Sequence, residues 1–230
     1  MNMRCIGSSS AGNCYILAYD NEILILDCGF PIKQIKQGLN FNLQGIKGII
    51  VTHGHKDHSL SADYFKQMGF DVWQPYLDEH KLQRRCFGGF KVCSFDVPHD
   101  DEPCVGYLIE RPNGERLLYA TDFEYIKYSF RKIQIQHALI ECNYCKDLVE
   151  MDTENRSHVL RGHAEMQTTL SIVKDNKDSL QTVILCHLST KNANAEEMVA
   201  EVQKIVPGAN VCVAERGLEI LLRNKNECPF

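Results

Sequence analysis

Short apolar runs punctuate this chain, and most of them close on a turn residue or a charged group. Residues 13–19 (NCYILAY) and 22–28 (EILILDC) meet at Asp20-Asn21, which predicts a hairpin of two strands. PCVGYLIE and RLLYATD, at 103–110 and 116–122, flank Pro112-Asn113-Gly114, a second turn signal. Helical segments are predicted over 31–38, 58–68, 164–176 and 194–205. The last two carry apolar residues at helical spacing, as in Leu170, Ile172 and Val173 or Met198, Val199 and Val202. Strands alternating with helices predict α/β layers rather than an all-β barrel. No fixed-period repeat, low-complexity tract or Pro/Gly-rich linker interrupts this pattern, so residues 1–230 read as a single domain.

Four of the apolar runs end at a residue able to bind metal. GIIVT leads into His53, FDVP into His99, LLYAT into Asp122 and VILC into His187. Side chains at strand ends converge on one edge of a sheet, where α/β proteins commonly build their sites. The first run opens VTHGHKDHS, residues 51–59, with three histidines and an aspartate in six positions. Residues two apart in an extended segment face the same side, so His53 and His55 can address one ion. Asp57 and His58 turn past it toward a second. Two ions about 3.5–4 Å apart need a bridging carboxylate, for which Asp122 is the candidate. His99 would complete the first ion's set and His187 the second's. Imidazole with carboxylate suits Zn²⁺, Mn²⁺ or Fe.

Composition narrows the setting. The hydrophobic fraction of 44% supports a sizeable core. No apolar run reaches the roughly 18 residues that span a bilayer, and MNMRCIGSSS lacks a signal-peptide core. A soluble, cytoplasmic protein is expected, with its eleven cysteines as reduced small hydrophobes rather than a disulfide framework, Cys142 and Cys145 included. The net charge of −5 argues against a general polyanion coat but not against a nuclease, because bound divalent ions supply positive charge locally. Basic clusters at Arg84, Arg85 and Lys91, at Lys127, Arg131 and Lys132, and at Arg156 and Arg161 read as solvated surface. His80, His137 and His158 have no motif partners and read as surface or structural residues.

THGHKDH, followed in order by VPH, ATD and CHLS, resembles the metallo-β-lactamase superfamily of dinuclear metal hydrolases over about residues 5–190. The resemblance implies a four-layer αββα sandwich, two sheets back to back with helices outside. LILDCG resembles the superfamily's first motif, in which Asp27 would brace the ligand loop rather than bind metal. CIGSSSAGNCYIL resembles the start of a compact bacterial branch, the YycJ or WalJ type, associated with 5′-to-3′ DNA exonuclease activity. Ser8, Ser9, Ser10 and Asn13 would then bind a substrate phosphate. ALIECNY resembles the same branch and places Tyr144 beside the substrate. RSHVLRGHAEM resembles its Gly-His segment, with His163 at a helix start, where an anion is favoured. This chain has Ala164-Glu165 where that branch usually has Leu-Ser.

The expectation that follows is a dinuclear metal-dependent phosphodiesterase, a 5′-to-3′ exonuclease acting on DNA in preference to RNA. Two divalent ions would generate a bridging hydroxide for in-line attack on phosphorus. Asp57 and His163 are the catalytic candidates, His163 as proton donor to the leaving oxygen. Neither the insert of β-CASP nucleases nor a tRNA-maturing arm is visible, so nucleic acid must use the core's own face. A thioester or lactone hydrolase of the glyoxalase II kind shares every proposed ligand and is the alternative. A nucleic-acid- or partner-binding module with structural metals is disfavoured, because structural zinc sites are closed and rich in Cys.

Overall fold

The computed structural model of the chain describes residues 1–149 and 160–223, so Arg156 and His158 lie outside the described residues. One sheet has six strands, β1 (Asn2–Ser9), β2 (Gly12–Tyr19), β3 (Glu22–Leu26), β4 (Ile46–Ile50), β5 (Val72–Trp73) and β13 (Glu219–Leu221), in the order β13-β1-β2-β3-β4-β5. The other has seven: β6 (Gln83–Phe87), β7 (Phe90–His99), β8 (Glu102–Glu110), β9 (Arg116–Ala120), β10 (His137–Glu141), β11 (Thr182–Cys186) and β12 (Asn210–Val213), in the order β12-β11-β10-β9-β8-β7-β6. The predicted hairpins appear as β2–β3 and β8–β9, both antiparallel. β3–β5 and β9–β12 are parallel runs.

Alternation along the strands builds two apolar layers. Leu24, Ile49, Tyr107, Tyr119, Leu139 and Ile184 belong to one cluster, drawn from both sheets and filling the space between them. Leu118, Ala138, Ile140, Val183 and Leu185 point the other way and pack under two helices, α4 (Met166–Asn176) and α5 (Ala195–Ile205). Both helices match their predicted spans, and Asn194 caps α5 by accepting from Glu197 N at 3.2 Å. α1 (Ile32–Gly38) also forms as expected. The architecture is the expected αββα sandwich.

One predicted helix differs. The segment 58–68 is two short pieces, α2 (Lys56–Ser59) and α3 (Ala62–Gln67), separated at Leu60-Ser61. The break follows from docking against the loop after β3: Cys28 N donates to His58 O at 2.8 Å, and Ser61 N donates back to Cys28 O at 3.0 Å. That loop approaches so closely that a Cβ on Gly29 would lie 1.7 Å from Asp57 O, so only glycine fits there. Among the described residues no helix is long and apolar enough to cross a membrane.

Candidate metal centre

His53, His99, Asp122 and His187 stand at or just beyond the ends of β4, β7, β9 and β11, on one edge of the sandwich. Their backbones are bent to bring this about. Asp27, Asp122 and His187 adopt φ of 55°, 54° and 51°, left-handed conformations that cost a non-glycine residue about 1–3 kcal/mol each. The turns swing each side chain off its strand direction into the space between the sheets.

Among the described residues, four overlapping groups of potential ligand atoms result, each with its atoms within 4.8 Å of one another. His53, His55 and His99 form one: His53 Nε2 and His55 Nδ1 are 3.1 Å apart, and His55 Nδ1 and His99 Nε2 are 3.3 Å apart. Asp57, His58 and His187 form another, with Asp57 Oδ2 at 3.4 Å from His58 Nε2 and 3.9 Å from His187 Nε2. Asp122 stands between them. Its Oδ2 lies 3.0 Å from His58 Nε2 and 3.1 Å from His187 Nδ1, and it joins His53 and His58 in a third group.

The fourth group contains a residue that sequence reasoning missed. Glu141, fully buried at the end of β10, joins Asp122, His163 and His187. Its Oε1 lies 2.8 Å from His163 Nδ1 and 3.0 Å from His187 Nδ1, while its Oε2 accepts from Phe123 N and Ala164 N at 3.2 and 3.0 Å. A signal was present in HALIE: Ala138 and Ile140 face the helices, so Glu141 alternates onto the inter-sheet face with Leu139.

Around the cluster, each support has a mechanical reason. Asp27 Oδ2 lies 2.7 Å from His58 Nδ1, its Oδ1 accepts from Thr52 N at 2.8 Å, and Tyr119 donates its hydroxyl to Oδ2. His99 Nδ1 donates to Gly162 O at 2.6 Å. These contacts hold the Nδ1 edges of His58 and His99 and turn their Nε2 atoms inward.

The residues read from sequence as a phosphate loop are deployed differently. Ser8 Oγ accepts from Tyr15 hydroxyl at 2.7 Å and from His187 N at 2.8 Å, so Ser8 holds the strained His187 backbone. Ser9 Oγ accepts from Ala11 N at 3.2 Å within its own turn, and Ser10 is exposed. Asn13 is fully buried, with Nδ2 2.9 Å from His58 Nε2 and 3.4 Å from Asp57 Oδ2. Tyr144 is buried next to Glu165, whose backbone bridges to it. His163 does not open a helix. It follows a helical turn ending at Gly162 and precedes α4, whose N-terminus is capped by Glu165 accepting from Gln167 N at 3.0 Å. The anion position at that helix start is thus filled by the chain's own carboxylate. Of the histidines left without motif partners, His80 is exposed and His137 is buried against Glu115 at 2.8 Å.

Electrostatics show what charge the cluster favours. Burial disfavours charge on His187, yet Asp122 and Glu141 push its pKa up to about 10. Burial likewise opposes charge on His58, and Asp122 with Asp27 outweigh it, raising its pKa well above the ordinary value. Burial pushes the Asp122 carboxyl up, but His187 and His58 hold it well below the carboxylate range. His53 moves the other way, kept neutral by burial and by the neighbouring His58. Buried carboxylates thus draw protons onto imidazoles where a cation would serve. His187 Nε2 is buried with no hydrogen-bond partner, and His53, His55 and His99 aim nitrogens at one another. A buried nitrogen without a partner, such as His187 Nε2, and imidazoles crowded nitrogen to nitrogen are costly unless a metal takes up their lone pairs. The donor set fits divalent ions.

The comparisons agree with this geometry. Residues 9–92 match the family model for the metallo-beta-lactamase superfamily. Over this stretch the chain is similar to that superfamily. It is 26% identical over 147 residues to ribonuclease J 1 of Streptococcus pyogenes serotype M3, a match covering 49% of this chain and 26% of that one. It is 22% identical over 229 residues to exodeoxyribonuclease YycJ of Bacillus anthracis, covering 86% of each. The chain spans about a quarter or less of the length of the ribonuclease J relatives it matches. Among solved structures, the metallo-beta-lactamase fold protein YhfI of Bacillus subtilis superposes with a TM-score of 0.70 at 18% identity, covering 95% of this chain and 98% of the other. The short form of human tRNase Z gives 0.65 at 15%, covering 97% and 100%. The family match stops short of His99, so the convergence of His99, Asp122, Glu141, His163 and His187 rests on geometry.

Proposed function

We propose that this metal-dependent hydrolase is a dinuclear phosphodiesterase, a 5′-to-3′ exonuclease acting on DNA, built as one domain over residues 1–230. His53, His55 and His99 would hold one ion and Asp57, His58 and His187 the second, with Asp122 between them. Such a pair supplies Lewis acidity to a phosphoryl oxygen and a nucleophile at neutral pH. Zn²⁺, Mn²⁺ and Fe all suit these donors.

The remaining chemistry falls to the chain. Asp57, whose side chain is 23% exposed, stands at the mouth and can accept a proton from the attacking water. His163 is 12% exposed, and Glu141 fixes its Nδ1 edge inside, which directs the opposite edge outward.

The His163–Glu141 pair is the observation that carries the phosphodiester reading. A sugar alkoxide is a poor leaving group and needs a proton as the bond breaks, whereas a thiol, with a pKa near about 8.5, leaves readily as thiolate. A buried carboxylate that orients a proton donor serves the first reaction and adds little to the second. The likeness to the exodeoxyribonuclease over 86% of both chains supports DNA, and the ribonuclease J likeness makes RNA the substrate to test against it.

The test is incubation of 5′-phosphorylated and unphosphorylated DNA and RNA oligonucleotides with Mn²⁺ or Zn²⁺, followed by sizing of products, beside a thioester assay. Stepwise shortening of phosphorylated DNA is expected. Turnover of the thioester alone would replace the proposal with the glyoxalase II type of chemistry. Hydrolysis surviving in a metal-stripped Asp57→Ala, Asp122→Ala variant would remove its basis.

A further inference from the structure

Among the described residues, the outer face of the seven-stranded sheet is covered only in part. α4 and α5 pack over β10 and β11, and beside them β6, β7 and β8 leave a groove of about 800 Å³. Strand register fixes what this face presents. Cys86, Lys91, Glu110 and Arg116 are successive cross-strand neighbours, forming one polar row. Arg84, Cys93 and Leu108 form the next row, largely apolar. Phe95, Tyr128 and Phe130 close the groove on the side toward the metal centre, with Phe95 5.5 Å from the Tyr128 ring and 5.3 Å from the Phe130 ring.

Charge says what such a groove would receive. Three cations on these two rows, Arg84, Lys91 and Arg116, line it against one carboxylate, Glu110, in a chain whose net charge is −5. Arg85 is tied to Asp71 at 2.9 Å, and Lys91 and Arg116 share Glu110 at 3.4 and 2.8 Å. Among the described residues nothing pairs with the Arg84 guanidinium, which is exposed beside exposed Leu82. A second copy of the chain would bring the same excess of positive charge to the same face. The match is to a polyanion that also carries flat apolar surface.

The face is connected to the centre along a single strand. β7 carries Lys91 in the groove and His99 in the centre, eight residues apart, or roughly 26 Å at about 3.3 Å per residue. The loop from Asp122 to Phe130 runs between the same two places, pinned where Tyr128 and Lys127 both donate to Asp96. Single-strand binding faces typically cover about 4–16 nucleotides, pairing cations for phosphate with apolar surface for bases. A strand held at the centre reaches this groove within that length.

We propose that the β6–β8 groove binds the single-stranded continuation of a nucleic-acid substrate whose end lies at the metal centre. This extends the nuclease reading and rests on it. It also reverses the sequence expectation for Arg84 and Lys91, which as a sequence cluster look like solvated surface. The groove adds affinity and length preference, while the chemistry stays with the centre.

The experiment measures fluorescence anisotropy of nuclease-resistant phosphorothioate oligonucleotides of 4 and 16 nucleotides, with wild type, Arg84→Ala and the double variant Arg84→Glu, Lys91→Gln. Both side chains are exposed, and circular dichroism checks the fold. The double variant should raise Kd for the 16-mer at least tenfold and leave the 4-mer within twofold. Its slope of log K against log salt should fall by about 1.4, two contacts at about 0.7 each. Arg84→Ala should show the same length dependence in weaker form. Equal effects on both lengths, or none, would overturn the groove. So would polyglutamate displacing the 16-mer as well as DNA of equal charge does, since that points to an acidic protein partner. Failure of the nuclease reading is a separate result, the absence of any phosphodiester cleavage. Length-dependent binding lost in the variants would then leave the groove standing without it.

Discussion

Glu141 Oε1 lies 2.8 Å from His163 Nδ1, on the far side of the imidazole from where a substrate must enter. The same oxygen is 3.0 Å from His187 Nδ1, and the other oxygen holds two backbone amides. One buried carboxylate thus sets a proposed proton donor and a proposed ligand at once. Glu141→Gln keeps the volume and one acceptor but loses the charge. It should lower kcat on a phosphodiester by about 10–100-fold, and metal content by inductively coupled plasma analysis should fall at the second ion. Full activity with two ions retained would show that Glu141 is only a core acceptor.

His163 is expected to act on the leaving oxygen, so its removal should depend on what leaves. His163→Ala should cost about 10²–10⁴-fold in kcat on an oligonucleotide, whose alkoxide needs a proton. On bis-p-nitrophenyl phosphate, whose phenolate departs unaided, the loss should be under tenfold. Steady-state rates on the two substrates, at constant metal content, check this. Equal losses on both would assign His163 to substrate or metal binding.

Ser8 separates the sequence reading of the opening loop from the structural one. Its hydroxyl accepts from His187 N, where φ is 51°. If it positions that backbone, Ser8→Ala leaves the amide unsatisfied, costing about 1–3 kcal/mol of stability, and KM for an oligonucleotide stays within twofold. A rise in KM at unchanged Tm would instead place Ser8 on the substrate, as its sequence context suggests.

These cases mark where sequence was legible. Ligand candidates at strand ends could be read because apolar runs predict strands, and parallel strands end on a common edge. His53, His55 and His99 lie together, as do Asp57, His58 and His187. The roles of Ser8 and Glu141 could not be read in the same way. Ser8 pairs with a residue 179 positions away, and Glu141 sits in a fully buried strand whose only clue is its alternation. The break at Leu60-Ser61 was equally invisible, because it is set by the chain folding back on Cys28 rather than by local propensity.

At the opposite pole of local charge lies a buried ionic group with no part in the chemistry. Glu115 is paired with Arg111 at 2.5 Å and His137 at 2.8 Å, and all three are buried. Burial pushes the Glu115 carboxyl up, but His137 and Arg111 outweigh it and hold it below the ordinary carboxylate value. A depressed folded pKa contributes stability above the unfolded value of about 4.3, and that contribution is lost as pH falls through the folded pKa. Glu115→Gln removes the carboxylate that faces the buried Arg111 and His137, so it should cost about 3–5 kcal/mol at pH 7 by urea unfolding. The gap between wild type and variant should then narrow as pH drops below about 4.3, because wild type alone loses this contribution. A gap that stays constant down to acid unfolding would mean the Glu115 carboxylate titrates alike in the folded and unfolded chain, and that the pairing does not stabilise its charge.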